Sequence, residues 1–504
     1  MSESRAPTYS CSRTPALMYA LVSAVAVAGC TLAPSYKKPE APVPDAWNAP
    51  LTTDQDEATV QATGWQPATP ADHMERGRWW QRFNDAELDA LEEQLHSGNL
   101  DLQIAVARYD AARASADAAG SGYWPTLGIE ASVQRKRDSV HKPPNTGGLG
   151  IRPYTDALVS AQVSYELDLW GRVRNAARAA DYRADAANAD LTSARLSLQA
   201  ELAQNYFQLR SFDTLIELLS NTAAGYERAY KMTDDRYRGG IARASDVDQA
   251  QVQLATAQTQ LADARLQRTQ LQNGIAILLG VAPQEFSLPT RALANEAPII
   301  PVDLPSQLLQ RRPDIAGAER RVAAANADIG IARAAWFPTF SLNALVGYQN
   351  NDTSDWLNAP NRLWAAGPAA ALTLFDGGAR RAQTDIAWAA YRETVASYRL
   401  NVINAYREVE DNLAATELLA TARDTQRKAA QAAVRAQQQA EQRYRGGIAL
   451  YLEVVTAQDK ALAAQQSELN IRVRQLNAAV LLVKALGGDW QTPDATAAAP
   501  AIAE

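Results

Sequence analysis

The feature that most limits what this chain can become is an internal duplication. Arg236-Tyr-Arg-Gly-Gly-Ile-Ala242 recurs as Arg443-Tyr-Arg-Gly-Gly-Ile-Ala449, an offset of 207 residues. The same offset pairs Leu167 with Leu374, Gly171 with Gly378, Glu201 with Glu408 and Gly280 with Gly487. Upstream, Tyr123-Trp-Pro-Thr126 recurs as Trp336-Phe-Pro-Thr339 at an offset of 213, which also pairs Leu91 with Leu304 and Asp101 with Asp314. The six-residue difference falls in a loop between two expected strands. One supersecondary unit is therefore used twice, over about 88–280 and 301–488.

Each copy carries the same order of signals. A helix is expected over Leu100–Tyr123 and Pro313–Trp336, stopped by Trp124-Pro125 and Phe337-Pro338, because the residue before proline leaves the helical region. Strand pairs follow at 126–169 and 339–375. In the first, Leu127, Ile129, Ala131 and Val133 alternate with Gly128, Glu130, Ser132 and Gln134. In the second, Phe340, Leu342, Ala344 and Val346 alternate with Ser341, Asn343 and Leu345. Such alternation suits the wall of a membrane β-barrel, and it equally suits a hairpin on a soluble core.

Long proline-free stretches come next, Gly171–Ala282 and Gly377–Thr492, each cut by a glycine pair, Gly239-Gly240 and Gly446-Gly447. The cut leaves a helix of about 65 residues, a turn and a helix of about 35; at ~1.5 Å per residue the longer approaches 100 Å. Leu198, Leu202, Asn205, Leu209, Phe212, Ile216, Leu219, Ala223, Tyr226 and Tyr230 keep a 4-3 spacing. Val247, Ala250, Leu254, Ala257, Leu261 and Ala264 repeat it in the return helix. That period means knobs-into-holes packing. Ser245 is the expected N-cap of the return helix.

The N-terminus reads as a secretory leader. Arg5 and Arg13 precede an uncharged run over Pro15–Gly29, too short for a permanent span. It ends in Val27-Ala28-Gly29-Cys30. This resembles a bacterial lipobox, which implies cleavage before Cys30 and acylation, including palmitate, at that residue; Thr31 after it resembles an outer-membrane sorting signal. Seven prolines over 31–70 fit an extended tether. The expected division is a signal peptide at 1–29, a lipid-anchored tether at 30–78, copies at 79–300 and 301–490, and a tail at 491–504.

Composition excludes several classes. A net charge of −7 leaves no nucleic-acid footprint, and three histidines (His73, His96, His141) with two cysteines (Cys11, Cys30) supply neither ligand spacing nor a thiol centre. We expect no enzyme activity, no cofactor and no metal. The Gly147-Gly148-Leu149-Gly150 run lacks the Lys-Ser/Thr of a phosphate loop. Four strands cannot close a barrel, so if they span a membrane the chain must oligomerise. Eight strands would be filled by side chains, whereas twelve leave a channel, which argues for three copies.

Several segments resemble the TolC/OprM-like outer membrane factors, in the lipoprotein branch serving tripartite efflux pumps. They are Trp79-Trp80 with Phe83-Asn84-Asp85; Tyr165-Glu-Leu-Asp-Leu-Trp-Gly-Arg172; Leu304-Pro-Ser-Gln-Leu-Leu-Gln-Arg-Arg-Pro-Asp314; Ala332-Arg-Ala-Ala-Trp-Phe-Pro338; and Leu374-Phe-Asp-Gly-Gly378. The resemblance covers about 79–490. It implies a mixed α+β membrane protein: a homotrimer with a twelve-stranded β-barrel in the outer membrane and a coiled-coil α-barrel reaching into the periplasm. It also implies a periplasmic adaptor protein and an inner-membrane efflux pump as partners, with no chemistry done by the duct. A duct of a type I protein secretion system and a structural coiled-coil lipoprotein are the alternatives.

The resemblance makes Arg238, Gly239, Gly240 and Ile241, with Arg445, Gly446, Gly447 and Ile448, the adaptor-contacting tips. In the family a leucine and an acid one turn later narrow the tip aperture. Leu452 matches the leucine, Thr456 stands at the acidic position, and Asp459 stands at a nearby basic one, so the acid is absent or moved to Glu453 or Asp459. Solvated helix faces are the plain alternative for these gate candidates. For Arg135-Lys136-Arg137 the readings are lipid phosphate contact or a strand end. For Tyr154, Trp356 and Trp364 they are an interfacial girdle or loop packing.

Overall fold

The computed structural model describes residues 31–41, 77–137, 153–298, 300, 311–351 and 355–488. Cys30, the leader, most of the tether and the C-terminal tail lie outside them, so the acylation expectation has no structural counterpart. In chain order the elements are α1 (Ala86–Gly98), α2 (Leu100–Gly120), β1 (Thr126–Lys136), β2 (Tyr154–Leu167), α3 (Arg172–Arg238), α4 (Ala244–Leu278), α5 (Pro313–Ala334), β3 (Thr339–Asn350), β4 (Arg362–Ala371), α6 (Ala379–Arg445) and α7 (Tyr451–Ala485). Helices α3 and α6 each have 67 residues and α4 and α7 each have 35. No helix among the described residues is long and apolar enough to cross a membrane. The contacts divide the chain into two compact units.

The first unit comprises the described parts of Met1–Pro39, Ala111–Asp185 and Glu319–Ala396. Its strands form one antiparallel sheet in the order β1-β2-β3-β4. Register gives the sheet two unlike faces. Ile129 lies opposite Ala161, Ala161 opposite Val346, and Val346 opposite Trp364, one apolar row across all four strands. One step along, Glu130 lies opposite Ser160 and Ser160 opposite Gly347, on the other face. Polar side chains there bond across strands: Gln162 Nε2 donates to Glu130 (2.5 Å), Ser164 Oγ to Asn343 (2.9 Å) and Gln349 Nε2 to Asp156 (2.8 Å). The large side chains of the apolar face are bare: Ile129 is 80%, Leu127 74% and Trp364 75% exposed. A hairpin on a soluble core would bury these side chains, so that reading does not hold for the single chain.

The same register splits the expected girdle and basic triplet. Tyr154 pairs with Lys136 on the polar face, where Lys136 bonds Asp156 and lies over the Tyr154 ring, so Tyr154 leaves the girdle. Trp364 keeps its place on the apolar face. Arg135 shares that apolar face, while Lys136 does not.

Residues 31–41 depart from a free tether. Thr31 Oγ1 donates to Asn175 (3.2 Å), Asn326 Nδ2 donates to the Pro34 carbonyl (2.9 Å), and Lys38 pairs with Glu319 (2.7 Å). Gly330 explains the fit: a Cβ there would meet Ala33 at 2.7 Å. The segment is extended, as its prolines require, but docked along α5. At the strand–helix junction, Trp170 stacks on Phe337 at 4.7 Å and donates to the Pro338 carbonyl at 2.8 Å.

The second unit comprises the described parts of Glu40–Asp110, Ala186–Ala318 and Ser397–Glu504. Its core joins Trp79, Trp80, Phe83 and the leucines of α1 to Tyr206, Phe207 and Leu209 of α3, Ile275 of α4, and Leu476, Val480 and Val483 of α7. The heptad shows in α4, where Ala250, Ala257 and Ala264 are all buried at seven-residue spacing. Small knobs let the helices approach closely.

Buried charges fasten this core. Arg210 has no exposed surface and reaches Glu87 (2.5 Å), Asp213 (2.7 Å) and the Pro289 carbonyl (2.7 Å). Asp213 also receives Arg268 (2.6 Å), and Asp85 receives Arg291 and Tyr206. Burial raises the Asp85 pKa, but the bonds from Arg291, Tyr206 and Asn295 outweigh it and hold the carboxyl below its usual range. Arg312 bonds Asp314 through both oxygens, Glu408 (2.8 Å) and the carbonyl of Ala485, the last residue of α7 (3.0 Å). In the first copy Asn99 stands at the Arg312 position and donates to the Leu278 carbonyl, the last residue of α4, at 2.7 Å.

Candidate functional site: the helix-hairpin tips

The two hairpin turns close by the same backbone motif. In the first, the amide of Gly240 donates to Tyr237 (2.9 Å) and that of Ile241 to Arg236 (2.8 Å). In the second, Gly447 donates to Tyr444 (3.0 Å) and Ile448 to Arg443 (2.9 Å). This is the Schellman pattern, which needs a left-handed residue after the helix. Gly240 and Gly447 supply it, with φ of 76° and 73°. Gly239 and Gly446 have ordinary φ. Chain reversal thereby explains Gly240 and Gly447.

Chain reversal does not explain the side chains. Ile241 and Ile448 are 81% and 76% exposed at the turn apex, and Leu450 and Leu452 are exposed beside them. Arg238 pairs with Asp234 one turn back (2.8 Å), and Arg445 is exposed. An apolar tip ringed by arginine is costly in water unless a partner covers it.

The two tips differ in what lies behind them. Tyr444 is buried, whereas its counterpart Tyr237 is half exposed. The Tyr444 ring packs on Tyr451 at 5.4 Å, and the guanidinium of Arg236 lies 4.8 Å over its face. Tyr451 occupies the position of Ala244, so one added aromatic in the second copy builds the contact between the hairpins. Ala250, Val454 and Val455 complete that small core.

The structure separates the gate candidates. Leu452, Thr456 and Asp459 recur at spacings of four and three on the exposed stripe of α7, opposite buried Tyr451, Val454, Val455 and Gln458. Glu453 lies off that stripe and pairs with Arg443 (3.2 Å), within its own hairpin. Thr456 Oγ1 is turned back to the Leu452 carbonyl (2.8 Å). Asp459 accepts from Gln253 of α4 at 3.5 Å, and desolvation raises its pKa. The expected cap also moves: α4 starts at Ala244, with Arg243 at the N-cap and its amide bonded to Asp246 (3.3 Å), so Ser245 lies inside the first turn. Among the described residues, no group of His, Cys, Asp or Glu could hold a metal ion.

The model of the family described as outer membrane efflux protein matches this chain twice, over residues 91–281 and 304–488. The chain belongs to the outer membrane efflux protein family. Its relatives include the antibiotic efflux pump outer membrane protein ArpC and the toluene efflux pump outer membrane protein TtgC, both of Pseudomonas putida. Each is 33% identical over 480 residues, covering 95% of this chain and 96% of its own length. The solved outer-membrane channel OprN superposes with a TM-score of 0.78 at 29% identity, over 92% of this chain and all of its own. This outer membrane efflux protein therefore has the helical-barrel and strand-barrel fold of those channels, and its working place is the outer membrane.

Proposed function

We propose that three copies form a lipid-anchored, passive exit duct of a tripartite efflux system. Each chain contributes four strands to a twelve-stranded barrel, and its long helices line a tunnel. The supporting observation is the sheet: apolar on one face, polar on the other, with β1 and β4 as its edge strands. An uncovered edge is not tolerated in lipid, and closure with copies of itself removes it. Twelve strands leave an aqueous lumen lined by the Glu130, Gln162, Ser164 and Asn343 face.

A periplasmic adaptor covers the Arg238–Ile241 and Arg445–Ile448 tips, and through it the inner-membrane pump delivers cargo. Acylated Cys30 anchors the docked 31–41 segment. The Leu452–Thr456–Asp459 stripe lines the tip aperture, so Asp459 supplies the acid that Thr456 lacks. Two relatives of equal identity are named for antibiotics and for toluene. Cargo choice thus resides in the pump. Native mass spectrometry of the detergent-purified protein tests the assembly: a mass of three acylated chains is expected, and a monomer at working concentration refutes it.

A further inference from the structure

A cleft of about 470 Å³ opens between α3 of the first copy and the α6–α7 hairpin of the second, just above the tips. Tyr226, Met232, Glu441, Val454 and Gln458 line it, and Arg228 and Arg445 stand at its exposed rim. Two polar atoms of its wall have no hydrogen-bond partner, Tyr226 Oη and Gln458 Oε1, although both residues are more than nine-tenths buried. The amide nitrogen of Gln458 is spent on Glu441 Oε1 (3.2 Å), which Gln437 also reaches (2.9 Å). This fixes which end of Gln458 is left over: its acceptor.

Buried polar groups are paired almost without exception, so two orphans in one wall point to an occupant. Their chemistry specifies it. Gln458 Oε1 and Glu441 call for a donor. Burial, with Asp459, Tyr451 and Glu441 nearby, pushes the Tyr226 hydroxyl up to about 12, so it stays protonated and calls for an acceptor. The carboxylate lies inside and the arginines at the rim, which favours a cationic donor within. Met232 and Val454 offer an apolar surface to the remainder.

We propose that this cleft binds a small amphipathic amine that also carries a hydroxyl or ether oxygen. Its ammonium donates to Gln458 Oε1 and Glu441, its oxygen accepts from Tyr226, and its apolar body rests on Met232 and Val454. The walls belong to different copies of the repeat, so the occupant ties the two hairpins together. On the reading of the chain as a duct, it holds the tip aperture closed.

The test uses the full-length protein in amphipol, with propranolol, a naphthyl amino alcohol, as probe in isothermal titration calorimetry. Saturable binding is expected, weakened about tenfold or more by Gln458→Met and by Tyr226→Phe. Tyr226→Phe should not lower the melting temperature without ligand, because the removed oxygen has no partner, whereas Gln458→Met also gives up the bond to Glu441, so its loss of binding is read against Glu441→Gln, which keeps an acceptor there. Absence of saturable binding up to millimolar probe, or binding that either substitution leaves unchanged, overturns the proposal. The readout involves no transport, so its failure leaves the duct reading untouched.

Discussion

Replacing Arg312 by Gln should loosen the end of α7 without unfolding the chain. Arg312 makes four bonds: two to Asp314, one to Glu408 and one to the Ala485 carbonyl. Breaking a fully buried ion pair costs ~3–5 kcal/mol, mostly from the charge left stranded. The stranded carboxylates are 33% and 41% exposed, so water recovers part of that cost. A loss of ~2–3 kcal/mol remains, mainly the charge-assisted bonds and the bare carbonyl. If local opening governs exchange, amides at the end of α7 should exchange ~30- to 150-fold faster. Hydrogen-exchange mass spectrometry on peptides covering 476–487 measures this. Arg312→Lys should recover only part, since an ammonium cannot match the carboxylate fork. Lys231→Ala, at the exposed pair with Glu227, is the control and should leave exchange at 476–487 unchanged. Unchanged exchange at 476–487 in Arg312→Gln would refute the account of how the Arg-Arg-Pro-Asp motif fastens the helix.

Further outcomes follow from burial and backbone geometry. Glu92 has no exposed surface and neither carboxylate oxygen has a partner; desolvation, with Asp89 and Glu93 nearby, raises its pKa well above the usual range. The folded state therefore holds this proton more tightly than the unfolded chain, and the stability it gives is full below the ordinary Glu pKa and lost as pH rises through the raised value. Glu92→Gln should raise stability at pH 8 by on the order of 1–3 kcal/mol and change little at pH 4, read by thermal unfolding at both. Gly447→Ala should cost ~1 kcal/mol at its left-handed φ and speed exchange over 443–448, whereas Gly446→Ala, with room for a Cβ at 3.5 Å, should not. Leu452→Ala removes an exposed side chain from the stripe proposed to line the aperture, so it should raise closed-state conductance with no change in melting temperature.

Much of the architecture was legible because period and punctuation are local properties. Proline after Trp124 and Phe337 bounds the helices, although α2 ends at Gly120 and α5 at Ala334, short of the expected Tyr123 and Trp336, because the chain tightens into a turn before each proline; the glycine pairs bound α3 and α6 as expected. The strand alternation gave the elements but not their setting, since both settings share a period of two. Only the register and the exposure of Ile129 and Trp364 separate them. The heptad reading marked one stripe of α3 and passed over Tyr206, Phe207, Arg210 and Asp213, which are buried because α1 and the segment after α4 cover a second side. Their partners lie far off in sequence, so no spacing announces Arg210–Glu87 or Tyr206–Asp85. The recurrence of Tyr237 and Tyr444 hid their difference, which depends on Tyr451 standing where the first copy has Ala244.

Conductance across a planar lipid bilayer tests the central claim most directly. Purified, acylated protein should give discrete current steps, small at rest and larger when Leu452 is Ala. Absence of any conductance, with the wild-type chain, with Leu452→Ala and with adaptor added, would contradict the reading of this chain as an outer-membrane duct.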